Sequence, residues 1–506
     1  MNHPGATDRT AATDRASVTD GTGATDRTGA TGRPGATDAG ATDAGATAGA
    51  AAALQARMRG RVIGPSDPGY DQARRVWNGA VDRHPAMIAC CQDTADVVTA
   101  VGFGRAHGLP IAVRAGGHGV AGRAVCDGGL VIDLRGLSQV RVDPRRRLAV
   151  AGAGALNGEF DTATQRHGLA TTAGIVSHTG LAGLTLGGGI GWLARRCGAT
   201  CDNLTGAQVV TAGGEVVEAA DDPDLLWALR GAGANFGVVT RLDLAVHGIG
   251  PQVVAGVLAF PAEGAGPVLD RYAELASAAP RELGTIVNLR HAPPAPWLPP
   301  GLHGRPVVLV GVCWTGADAG LDRLLAPLRA RRPAADTVGP APYTEHQRLF
   351  DAAVPHGLHY FWRSDYVTGL GGEITEALSQ HSWSMRNRRS YTIMFHLGGT
   401  LADAGPEAAA FSGRHGGFAI NINAVWAPPE PDDVGWVRAL WDRIHGFSAG
   451  VYVNFLDDEP AQRTRAAYSA AAYGRLLEVK RRYDPDNVFR SNHNIDPAVR
   501  PGPSRR

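Results

Sequence analysis

Two glycine-dense stretches constrain this chain more than any other feature. The first is Arg114, Ala115, Gly116, Gly117, His118 and Gly119, directly after an apolar run predicted as a strand at 111–115. The second runs from Gly180 to Gly191 and carries Gly183, Leu184, Gly187, Gly188 and Gly189, with Trp192 next. Neither suits the middle of a core strand or helix, because glycine loses the most backbone entropy and leaves no side chain to pack. Such glycines serve where backbone must come close to a ligand or to another backbone. Several N–H groups can then turn toward one point and form a nest for an anion such as a pyrophosphate. Arg114 adds positive charge, and a helix predicted to begin at Trp192 would favour phosphate at its N-terminus. For either loop alone a bland turn competes in a chain with 68 glycines. Two loops in order, each expected after a strand, favour the cradle. Neither matches the G-x-G-x-x-G fingerprint of a dinucleotide-binding Rossmann unit. His118 within the nest is a nucleophile when neutral; a simple hydrogen-bonding histidine is the equal alternative.

The rest of the pattern predicts an α+β protein in several segments. Residues 1–53 repeat variants of Gly-Ala-Thr-Asp-Arg-Thr, with Met1 and Val18 the only aliphatics besides alanine. Ordering such a segment costs about 1–2 kcal/mol per residue in backbone entropy with little apolar burial to offset it, so a disordered tail is expected. From 54 to 246 strand and helix signals alternate. Strands are predicted at 86–91, 130–134, 139–142, 148–151 and 238–246, with a hairpin turn at Gly213-Gly214. Thr94 is expected to cap a helix that carries Val97, Val98 and Val101 on one face and is stopped by Pro110. Region 247–450 has strand-like runs at 307–313, 391–396 and 418–425, with helix-like runs at 318–330 and 371–382. That pattern predicts an antiparallel sheet covered by helices. Segment 451–496 is again dense in motifs, and 497–506 is a tail.

Bulk properties exclude several classes. Lysine plus arginine number 49 against 48 acids, a net charge of +1. Neither nucleic acid nor an anionic membrane is therefore expected as partner. The six cysteines (90, 91, 126, 197, 201, 313) fit no disulfide framework, and Cys197 and Cys201 lack companions at zinc spacing, so no metal site is expected. No run of about eighteen apolar residues is present. No signal-peptide stretch is recognised either, which predicts a cytoplasmic protein.

The stretches 113–119, 183–191, 201–204, 224–239, 452–455 and 480–495 together resemble the berberine-bridge-enzyme-like family of FAD-linked oxidases. The resemblance runs from about residue 60 to 496 and implies a vanillyl-alcohol-oxidase/PCMH-type two-part FAD-binding domain at 54–246. A substrate domain at 247–450 and a C-terminal segment returning to the FAD domain complete the expected architecture. It implies FAD as cofactor, joined covalently to His118 through the flavin 8α-methyl carbon. Many relatives carry a second, cysteinyl link; Val176 stands at that position, so a single link is expected. Thr179 falls where relatives control oxygen access, which favours oxygen as acceptor and hydrogen peroxide as product. Tyr452 is nominated as the base that takes a hydroxyl proton, although a free phenol has a pKa near 10 and needs its anion stabilised. Gly174, Asp202, Asn203, Gly237, Val238, Val239, Asn454, Asn492 and Asn494 are implied to contact the cofactor or substrate.

At 360–366, Tyr360, Trp362 and Tyr366 share one face of a predicted strand. Trp362 is read as core, whereas Tyr366 and Arg363 are read as pocket residues, Tyr366 as a second catalytic candidate beside Tyr452. His396 and Trp426 are read as structural. A sugar, a polyketide or glycopeptide sugar group, or an alkaloid-like aromatic is the expected substrate. A dehydrogenase or an oxidative cyclase of secondary metabolism is the rival within the same fold. A flavin-holding binder with little catalysis is the rival from another class.

Overall fold

Three large sheets and a two-stranded one, Leu169–Ala170 with His247–Gly248, make up the strands of the described residues, and the site lies where the three large sheets meet. The computed structural model describes residues 48–317 and 320–499. The expectation of a disordered tail lies outside the described residues up to 47; residues 48–55 are helical, so the ordered chain begins earlier than the predicted boundary at 54. Most of the expected C-terminal tail also lies outside them.

The first sheet has the order Val62–Ile63, Met87–Cys90, Leu130–Asp133, Ile111–Arg114. Met87–Cys90 and Ile111–Arg114 both run parallel to Leu130–Asp133 between them. The crossover is the helix Thr94–Ala106, which buries Val97, Ala100 and Val101 against the sheet. Parallel neighbours need such a connection, and both faces of the sheet are then covered. The helix cap is Asp93 and not Thr94. Asp93 has extended backbone and accepts the Asp96 N–H at 3.0 Å, while the Thr94 hydroxyl donates to Gln208 Oε1. Gly108 with φ +62 and Pro110 follow the helix end.

The second sheet is antiparallel, in the order Val140–Asp143, Leu148–Gly152, Val238–Ala245, Leu204–Val210, Val216–Glu218. Together these two sheets form the expected two-part cofactor domain. Part of the second glycine stretch departs from expectation. Leu181–Leu186 is a six-residue helix, and the preceding strand, Leu169–Ala170, ends well before it. No long helix starts at Trp192; Ala194–Cys197 is a single turn.

The third sheet is wholly antiparallel and is built from 247–450. Its order is Ala335–Asp336, Gln252–Pro261, Pro306–Trp314, Leu283–His291, Tyr391–His396, Phe418–Trp426, His359–Val367. Helices Ala265–Ala278, Leu321–Arg329, Gly372–His381 and Val434–Ile444 bury Leu269, Leu325, Leu378 and Leu440 against one face. The opposite face is turned to the cofactor domain. The C-terminal helix Ala470–Tyr483 packs Leu476, Leu477 and Val479 into the core of the cofactor domain. Lys480 on that helix is fully buried, bonded to Asp484 at 2.6 Å and to the Asn235 and Phe489 carbonyls. A buried ammonium is tolerable only with such a set of partners.

Candidate active site

A cavity of about 340 Å³ opens where the two glycine stretches, the C-terminal segment and the third sheet converge. The two stretches touch at one point. A Cβ on Gly116 would lie 2.4 Å from the Gly180 nitrogen, and one on Gly180 would lie 2.5 Å from the Gly116 nitrogen. Only two glycines allow that approach. Among the described residues, the N–H groups of Gly116, Gly117 and Gly119 donate to no protein acceptor. They are the free donors that an anion nest requires.

His118 stands in the cavity wall. Its ring stacks on Trp77 at 4.2 Å and 14°, and Trp77 stacks on Tyr360 at 3.7 Å. The Trp77 indole is itself fixed by a bond to the Val354 carbonyl. Burial, helped by His178 and His356, lowers the His118 pKa to about 3. The imidazole is therefore neutral, and its buried Nε2 has no partner among the described residues.

The third sheet supplies the opposite wall. Trp362, Asn423 and Tyr391 form one row across three strands, and Asn421 and Ile393 lie in the next. All five line the cavity, with Phe395. The buried Trp362 Nε1, Asn421 Oδ1, Asn423 Oδ1 and Asn492 Oδ1 have no partner among the described residues. Each orphaned polar atom costs about 1–3 kcal/mol unless something bonds to it. Apolar walls, free backbone donors at one end and unpaired polar atoms near a ring-sized space fit a flavin nucleotide.

Tyr452 lines the same cavity. Its phenol oxygen accepts the Gly189 N–H and the Asn454 Nδ2–H, both at 2.9 Å. Asn454 is held in turn by the Leu184 carbonyl. Burial pushes the phenol pKa up, and the two donors pull it down without prevailing. Neither bond uses the hydroxyl hydrogen, which is free to point into the cavity.

Ala115 to Gly119, Gly174, Val176, Thr179, Gly180, Gly183, Leu184, Gly187, Val239, Tyr452, Asn454 and Asn492 all line the cavity. Val176 is the residue at the expected cysteine position, and no cysteine is among the lining residues described.

Other expected residues lie elsewhere. Arg114 is turned away: it pairs with Asp133 at 2.7 Å and donates to the Ala73 and Arg75 carbonyls, so its charge is already neutralised. Asp202 binds Arg414, and Asn203 braces the Cys197 and Ala199 carbonyls. Both shape the turn behind the second glycine stretch. Gly188, Gly189 and Gly191 back onto Phe411, Thr200 and Ala173. Trp192 packs its indole over Gly311 of the third sheet. Gly237 abuts Val209 and Val210, and Val238 sits in the core. Asn494 has a buried, unpartnered Oδ1 but is not among the lining residues. Tyr366 is 2% exposed, behind Gly413, and reaches Tyr452 only ring to ring at 6.2 Å. Trp362, read as core, is in the wall. Arg363 points toward Glu459 and Phe361. His396 bonds to Arg195 and Trp426 packs on His359, both structural as expected.

Trp77, Tyr391, Phe395, Asn421, Asn423 and His493 were missed in the sequence. The signal available was Asn421 and Asn423, two amides at a spacing of two in an otherwise apolar strand.

A two-part α+β domain holding a nucleotide cradle, capped by an antiparallel sheet with an aromatic and amide wall, defines a flavin-dependent oxidoreductase. The family described as "FAD binding domain" matches residues 85–220, and "Berberine and berberine like" matches 451–496. An FAD-linked oxidoreductase of Dictyostelium discoideum is 30% identical over 450 residues, which cover 87% of this chain and 95% of that one. (R)-6-hydroxynicotine oxidase of Paenarthrobacter nicotinovorans is 29% identical over 460 residues, covering 88% and 98%. The crystal structure of 6-hydroxy-D-nicotine oxidase from Arthrobacter nicotinovorans superposes with a TM-score of 0.79 at 28% identity, over 87% of this chain and 98% of that one. The fold is also that of a xylooligosaccharide oxidase from Myceliophthora thermophila, with a TM-score of 0.78 at 22% identity, over 90% and 100%. The chain belongs to the berberine-bridge-enzyme-like family of FAD-linked oxidoreductases. Among the described residues no helix is long and apolar enough to cross a membrane.

Proposed function

We propose that this protein is an oxidase that removes two electrons and a proton from an alcohol-type carbon of a small organic substrate, with FAD fastened to His118. The observation that carries the reading is the state of His118. Its imidazole is neutral, held flat by Trp77, and offers an unpartnered Nε2 inside the cavity beside the glycine crossing. A neutral imidazole is the nucleophile that covalent attachment needs. Val176 offers no second nucleophile, so one link is proposed.

When bound, FAD supplies the acceptor for a hydride equivalent from the substrate carbon. The chain does the rest. Free N–H groups of Gly116, Gly117 and Gly119 would hold the pyrophosphate. Asn492, on the C-terminal segment, would offer its unpartnered Oδ1 to the bound cofactor. Trp362, Tyr391, Phe395 and Phe455 form an aromatic enclosure for a ring-shaped substrate, and Asn421 and Asn423 bond its hydroxyl groups. Tyr452 receives the hydroxyl proton at its phenolate oxygen, which Gly189 and Asn454 stabilise. Thr179, in the wall, is small enough to leave oxygen a path, and oxygen is the proposed acceptor with hydrogen peroxide as product. The bacterial relative named for 6-hydroxynicotine supports a small-molecule substrate.

The test is a screen of sugars and aromatic alcohols under air. Flavin bleaching with peroxide formed mole for mole is the expected outcome. Fast dye reduction with little peroxide would make the protein a dehydrogenase instead.

A further inference from the structure

We infer that a second cavity, on the same face of the third sheet, binds the oxyanion of an amphipathic organic molecule, a carboxylate or a phosphate monoester. This cavity measures about 1110 Å³. Its floor is the strand Leu283–His291, from which Asn288 and Arg290, two residues apart, face the same way. Arg290 is only 7% exposed. Its Nε donates to the His291 carbonyl at 3.3 Å, and its guanidinium lies over the Tyr391 ring at 5.4 Å. No carboxylate pairs with it among the described residues.

The other buried arginines and the buried lysine among the described residues have closer partners. Arg114 has Asp133, Lys480 has Asp484, and Arg195 bonds the Leu283, Ala279 and Leu397 carbonyls. Arg290 has one long bond and one ring face. Beside it Asn288 is 1% exposed, and neither of its amide atoms finds a partner among the described residues. A ring contact offsets part of a desolvated charge but leaves the guanidinium N–H fork unused. A planar two-oxygen anion matches that fork, and the Asn288 amide adds a donor to the same oxygens. The acid that lines this cavity, Glu430, is already taken by Arg389 and Asn387. The walls include Trp297, Phe350 and Leu309, so the body carrying the anion is apolar.

Strand register places the two cavities side by side. Arg290 pairs with Tyr391 and Asn288 with Ile393, and Tyr391 and Ile393 line the first cavity. A substrate could thus react beside Tyr452 with its anionic end on Arg290. That connection rests on the proposed oxidase reading, whereas binding of the anion does not.

The experiment is equilibrium dialysis of the full-length protein, as purified, against naphthoate, naphthyl phosphate and neutral naphthamide, which has no alcohol carbon to oxidise. At least one oxyanion probe is expected to bind about tenfold or more tighter than the amide. Arg290→Gln should erase that difference. Asn288→Asp should erase it too, by seating a carboxylate against Arg290, and it keeps the side-chain shape if the first variant fails to fold. The tighter probe names the oxyanion. Equal binding of charged and neutral probes, or an unchanged preference in the folded variants, overturns the inference. A failed oxidase reading would show separately, as missing flavin or missing turnover with probe binding intact.

Discussion

At the scale of single residues, two tyrosines, an arginine and a histidine show how burial decides chemistry. Tyr452 has two N–H donors on its oxygen, yet burial still raises its pKa. The active form in the proposed mechanism is the anion, so activity should climb as pH rises into the alkaline range. Tyr452→Phe is expected to lower kcat by roughly 100-fold or more and to abolish that climb, as removal of a general base does. Steady-state rates over a pH series check this; an unchanged profile would remove Tyr452 from proton transfer. Tyr366, equally buried, has no such donors among the described residues and lines neither of the two cavities described above, so Tyr366→Phe should leave kcat within about twofold. Arg114 and His118 stand in one loop but take opposite roles. Arg114 meets Asp133 directly across the parallel register, and His118 is left neutral in the wall.

At the scale of elements, the contact of Gly116 with Gly180 joins the loops that shape the cradle. Gly116→Ala forces a methyl group to within 2.4 Å of a backbone nitrogen. A cost of about 1–3 kcal/mol is expected, along with a clear loss of flavin occupancy, read from thermal unfolding and the flavin-to-protein absorbance ratio. Asp93→Ala removes a helix cap far from the cavity and should cost about 1 kcal/mol with flavin content unchanged. The glycine loops were legible because glycine in such density has few structural uses. Strand positions with a strong alternation, such as 238–246, were legible for the same kind of reason. The strand Leu283–His291 was not, because it is buried along nearly its whole length and shows no period. Arg114 was misassigned because cross-strand register, which pairs it with Asp133, is invisible in one sequence. Tyr366 and Trp362 lie on one face, and only the packing of Gly413 against Tyr366 decides which of them reaches the space.

At the scale of the whole molecule, Asp161 ties the cofactor domain to the sheet-bearing half. It lies on the helix Asn157–Gln165 and accepts a bond from Gln347 at 2.9 Å. It is 1% exposed, its other oxygen has no partner, and burial pushes its pKa up to about 7. The folded state therefore holds a proton that the unfolded chain releases near pH 4. The stabilisation is complete below about pH 4 and is lost as pH rises to about 7. Asp161→Asn should remove this slope and raise stability at pH 8 by up to about 4 kcal/mol, seen as unfolding midpoints that no longer fall between those values. The proposed tether at His118 would govern what the assembled molecule does, and one measurement addresses it directly: acid precipitation of the protein followed by mass analysis of the tryptic fragment containing residue 118. A yellow pellet, and a fragment heavier by one flavin nucleotide, is the expected result. A colourless pellet with that fragment at its unmodified mass would contradict it.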